Sequence, residues 1–138
     1  MERREIRNAQ LDQGWMTLAG IVLVIVGLLG FVNNPLVGSA PGALVATDSV
    51  HNLVHIVTGL IALYIAFGLR GLTQANATIG FGVLYVIIFV AVLISPTLFG
   101  LFSVRANTAV HLIHAVLAIV SLAVGYVARS SMLEAPAA

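Results

Sequence analysis

Asp48-Ser49-Val50-His51-Asn52-Leu53-Val54-His55 aligns without gaps on Asn107-Thr108-Ala109-Val110-His111-Leu112-Ile113-His114, pairing Asp48 with Asn107, Asn52 with His111 and His55 with His114. Each octet opens an apolar stretch, and each stretch follows a similar unit. Gly20-Ile21-Val22-Leu23-Val24-Ile25-Val26 leads to Asn34-Pro35, and Gly82-Val83-Leu84-Tyr85-Val86-Ile87-Ile88 leads to Ser95-Pro96. The chain therefore reads as a duplicated helical hairpin. Two spans per repeat preserve orientation, so the halves should be related by a pseudo-twofold axis along the membrane normal, a parallel repeat.

Working outward, the expected spans are residues 15–32, 49–69, 77–94 and 108–128, with the third the shortest. A crossing helix needs about 20 apolar residues. Four of them would consume most of a 138-residue chain that is 60% hydrophobic and 8% charged, with mean hydropathy +1.09. A soluble domain is about 25% charged. The expected fold is all-α, a polytopic membrane four-helix bundle of two tandem hairpins. Its divisions are an N-terminal segment (1–13), hairpin one (14–70), hairpin two (71–128) and a tail (129–138). Trp15 should be an interfacial anchor. The 1–13 run mixes both signs and reads as a solvated helix or frayed tail. Three acids near the start and an 18-residue apolar core argue against a cleaved signal peptide ending near Ser39 and Ala40.

Six of the eleven charges lie in the first twelve residues. Arg3, Arg4, Arg7, Arg70 and Arg129 fall on one side of a four-span protein, and Arg105 alone on the other. The positive-inside rule then places both termini in the cytoplasm. The two outer loops, 33–47 and 95–106, are rich in apolar residues (Leu36, Val37, Leu44, Val45; Leu98, Phe99, Leu101, Phe102) and should lie on the membrane surface or fold over the bundle end. No basic patch supports nucleic-acid binding. The absence of cysteine excludes disulfides and thiolate sites. No carboxylate pair, glycine-rich phosphate loop or HExxH sequence points to an enzyme. Gly20, Gly27 and Gly30 suit close helix contact, and Tyr64 and Tyr85 read as core or lipid-facing fillers, needing a hydrogen bond if buried.

All four histidines, His51, His55, His111 and His114, fall in the first two turns of spans two and four. Asp48, Asn52 and His55 share one helix face, and Asn107, His111 and His114 form the matching stripe. Lipid cannot satisfy such groups, so the stripes should face each other inside the bundle. One reading is structural: Asp48 and Asn107 cap their helices, and histidine-to-asparagine hydrogen bonds tie the hairpins together. A second is a tetrapyrrole, a b-type haem or chlorophyll-like pigment, held axially by His55 and His114 about 10 Å below the helix starts, with Arg105 meeting a propionate. A third is a zinc or copper ion held by three or four of His51, His55, His111 and His114. Proton relay or small-solute passage is a fourth.

At His51-Asn52-Leu53-Val54-His55, followed by Thr58-Gly59-Leu60, the chain resembles a bacterial family of small four-span membrane proteins of unknown function, whose second span opens with a His-Asn-Leu-Val-His signature. A related Asn/Asp and His pattern opens the family's last span, here residues 107–114, so the resemblance covers residues 14–128. His111, standing where the second span has Asn52, departs from simple repetition. The resemblance implies architecture and a bacterial inner membrane, and no activity. The expected role is a non-enzymatic accessory or complex-associated subunit, in a larger membrane complex or homo-oligomer surrounded by lipid, with tetrapyrrole binding as the alternative.

Overall fold

A computed structural model describes residues 3–100 and 105–134, so Leu101 and Phe102 lie outside the described residues. Four helices are long and apolar enough to cross a membrane: α1 (Arg3–Leu29), α2 (Ser49–Gly68), α3 (Gly71–Ile94) and α4 (Thr108–Leu133). A two-stranded parallel pair, β1 (Val37–Gly38) and β2 (Val45–Ala46), lies between α1 and α2, with Val37 opposite Val45. A short 3-10 turn, Leu98–Gly100, follows α3. The architecture is the expected all-α bundle, and the small β pair is an addition the sequence reading did not contain.

α1 packs chiefly on α2 and α3 chiefly on α4, the two hairpins of the repeat. Small residues set these interfaces. A methyl group on Gly20 would sit 2.7 Å from Leu63 Cγ, and one on Gly82 would sit 2.8 Å from Leu122 Cγ, so the backbones approach too closely for any side chain. Gly20 aligns with Gly82 and Leu63 with Leu122, which makes these the same contact in both halves. Gly27 packs likewise against Ile56 and the Asn52 carbonyl, and Gly30 against the Asn52 side chain. The hairpins meet mainly through α1 and α4, with slighter contacts between α1 and α3 and between α2 and α3.

The helix bounds differ from the hydropathy reading. α1 begins by Arg3 rather than near residue 15, and its polar residues are not a frayed tail: Glu5, Asn8 and Asp12 are buried, Asp12 to 1% exposure. Spaced three and four apart, they form one stripe that faces the bundle. Asp12 Oδ1 accepts a hydrogen bond from Thr78 Oγ1 at 2.6 Å, joining α1 to α3. The half-buried Trp15 turns its indole inward, donating to Ser121 Oγ on α4 at 2.8 Å. α1 ends at Leu29, short of residue 32, where the Asn34 side-chain amide donates to the Leu29, Val32 and Val37 carbonyls and its oxygen accepts from the amides of Leu36 and Val37.

α3 starts at Gly71 rather than near 77, leaving only Leu69 and Arg70 between α2 and α3. Its polar first turns have partners: Gln74 donates to the Ala66 carbonyl, and Asn76 accepts from Arg129 Nε at 3.0 Å. Arg129 itself belongs to α4, which runs on to Leu133 instead of yielding to a tail at 129. The shortest helix is α2, at 20 residues, not the third. Tyr64 is exposed on the outside of the bundle, whereas Tyr85 is buried with its hydroxyl 2.8 Å from Thr58 Oγ1. The α1–α2 and α3–α4 loops lie at one end of the bundle, the loop end, and the short α2–α3 connection lies at the opposite, terminal end.

Candidate metal centre

Both capping residues act where the repeat places them. Asp48 Oδ1 accepts from the His51 amide at 2.9 Å and Asn107 Oδ1 from the Val110 amide at 3.2 Å, fixing where α2 and α4 begin. Each cap also reaches across to the other hairpin. Asp48 Oδ2 accepts from the Arg105 amide, and Asn107 Nδ2 donates to the Leu44 carbonyl at 3.0 Å. The two loops are thus cross-tied over the bundle end. Val37 and Val45 of the β pair pack on Val110, so loop one covers α4, while the segment at Arg105 covers α2.

Beneath this cover His51, His55 and His114 converge, each 2% exposed. Ring centroids are 4.4 Å apart for His51 and His55, 5.6 Å for His51 and His114, and 6.1 Å for His55 and His114. One ligand-capable nitrogen from each lies within 4.8 Å of the others. Nδ1 of His51 is 2.8 Å from the Arg105 carbonyl oxygen. A carbonyl can only accept, so Nδ1 carries the proton and the neutral ring keeps its lone pair on Nε2. A backbone carbonyl holding the remote ring nitrogen is the usual outer-shell arrangement around a metal-ligating histidine.

Several ring atoms have no other use. Nε2 of His51, both nitrogens of His55 and Nδ1 of His114 are buried without a hydrogen-bond partner. An unmatched buried donor or acceptor costs about 1–3 kcal/mol. The histidine-to-asparagine bonds of the structural reading are not present among the described contacts, and Asn52 Oδ1 is itself unpartnered. Asn52 points at Gly30 within its own hairpin.

His111 does not join the group. Its ring meets Phe89 of α3 edge-on, with centroids 6.2 Å apart. The reason is the repeat itself: His111 corresponds to Asn52, and both face the neighbouring helix of their own hairpin, whereas His55 and His114 face the axis between hairpins. The counterpart of His51 is Val110. The four-histidine set thus contracts to three, one short of tetrahedral closure.

Arg105 is not placed for a propionate either, since its guanidinium Nη1 donates to the Ser39 carbonyl at 2.7 Å, and only its backbone reaches His51. An axial pair at His55 and His114 would need a slot between the rings for a planar macrocycle, and His51 stands in contact with both. The donor set suits one small ion instead. Tyr85, whose ring meets His114 at 5.8 Å, and Thr58 lie next to the triad, and the sequence reading had attached neither to the site. No family model, curated protein or solved structure matches the chain.

Proposed function

We propose that the protein is a non-enzymatic membrane protein that binds one borderline divalent ion, zinc or copper, through His51, His55 and His114. The observation that carries this reading is the convergence of three buried imidazoles whose free nitrogens lack any other partner, on two helices from different hairpins. Neutral imidazole suits both metals, and three protein ligands leave a fourth position open to an external ligand. Zinc–nitrogen bonds of about 2.0–2.1 Å require nitrogens about 3.5 Å apart in a trigonal set, and the three ligand-capable nitrogens lie within 4.8 Å of one another.

The arginines at the terminal end support an orientation with both termini in the cytoplasm, which sets the triad on the outer side, and the bacterial inner membrane follows from the family resemblance alone. Membership of the four-span family and assembly into a larger complex belong to the same proposal. The test is metal content after dialysis of detergent-purified protein against zinc and, separately, copper. One ion per chain is expected, lost in His51→Ala, His55→Ala and His114→Ala and kept in His111→Ala. Wild-type protein without stoichiometric metal, or equal loss in His111→Ala, would overturn the reading.

A further inference from the structure

Among the described residues the tied loops cover the triad toward the loop end, and a cleft reaches it from the side. Between α2 and α3 a cavity of about 260 Å³ is lined by all three histidines together with Tyr85, Val54, Ile87 and other apolar residues. Ile87 is 60% exposed on the outer surface of the bundle, so in a membrane the cavity mouth opens to lipid. A pseudo-symmetric cleft of about 340 Å³ between α1 and α4 has apolar walls, including Trp15 and Val22, and touches only His55. The first cleft therefore leads to the metal ligands, and the second only skirts them.

Resting on the metal reading above, we propose that the ion's open position is filled from the lipid phase, by a lipid-soluble phenol entering between α2 and α3. Three physical constraints select this class. A charged ligand such as a carboxylate is disfavoured along an apolar, lipid-facing route. The cavity falls below the 300–1,000 Å³ typical of drug-sized ligands, so it suits a single substituted ring. Among neutral oxygen donors a phenol ionises near pH 10, far more readily than an alkyl alcohol, so a bound cation carrying hydroxide at its open position takes it as phenolate, the phenol proton leaving with that hydroxide as one water. Tyr85 is not that donor, because its hydroxyl is held by Thr58.

The experiment uses full-length protein in detergent loaded with cobalt(II), a visible stand-in for zinc, and titrated with 4-butylphenol. A saturable change in the cobalt absorption is expected with the phenol and not with 4-butylanisole, which has the same body and no ionisable oxygen. Ala91→Phe, which narrows the α2/α3 cleft while keeping all three histidines, should keep one cobalt per chain and weaken the phenol response at least tenfold. Ala91→Leu should weaken it less. Val22→Trp, in the other cleft, should leave it unchanged. Cobalt loading with no phenol response, an equal response to the anisole, or an unimpaired response in both Ala91 variants overturns the inference while leaving the metal site standing. Failure of cobalt to load, with zinc and copper also failing to bind in the dialysis above, overturns both.

Discussion

His55→Leu separates a metal-binding histidine from a structural one by the sign of its effect on stability. In the metal-free protein both ring nitrogens of His55 are buried without partners, at about 1–3 kcal/mol each. Leucine removes both polar atoms and roughly keeps the volume, at a repacking cost under about 1.5 kcal/mol. The metal-free variant should therefore be about 2 kcal/mol more stable than wild type. With zinc present at about a hundred times its dissociation constant, wild type gains about 2.7 kcal/mol by mass action, and the variant, having lost a ligand, gains far less. The order of stabilities then narrows or reverses. Reversible denaturant unfolding in detergent, with chelator and with zinc, reads both differences. A His55→Leu protein less stable than wild type by more than about 1 kcal/mol in chelator would refute the reasoning, because His55 would then be making a stabilising contact of its own.

Thr78→Val should cost about 1–3 kcal/mol by leaving Asp12 unpaired in the bundle interior, and adding Asp12→Leu should restore much of that loss, measured in the same unfolding assay. Asp48→Ala and Asn107→Ala should each cost at least the 0.5–2 kcal/mol of an ordinary cap, because each side chain also bonds to the other hairpin, Asp48 to the Arg105 amide and Asn107 to the Leu44 carbonyl, and the same unfolding assay reads both. Metal content should fall as the pH is lowered, since protons compete for the lone pairs that ligate, and equilibrium dialysis across pH 5 to 8 should show loading rising with pH. Cysteines introduced at Ser39 and Thr73 should label from opposite sides of sealed vesicles, and labelling of both from one side would contradict four crossings.

The parts of this fold that follow from local chemistry were legible in the chain. Asp48 and Asn107 mark helix starts by their side-chain type, and the gapless match between their octets exposes the repeat. The same alignment also held the composition of the triad. Pairing His51 with Val110 and Asn52 with His111 separates an axis-facing pair from a hairpin-facing one. Grouping all four histidines by proximity in sequence obscured that distinction. Hydropathy misplaced the starts of α1 and α3, because Asp12, Gln74 and Asn76 look like loop residues until a partner across the bundle satisfies them. The seat of Arg105 was not legible at all. Each of its contacts to Asp48, His51 and Ser39 pairs one backbone atom with one side-chain atom more than 50 residues away, which no residue pattern encodes.

X-ray absorption at the zinc edge, on protein loaded with one equivalent, tests the central claim most directly. The account predicts three imidazole nitrogens at about 2.0–2.1 Å with one further light ligand, and in His55→Ala the loss of one imidazole from that shell. An all-oxygen shell, or a spectrum indifferent to replacement of His51, His55 and His114 by alanine, would contradict it.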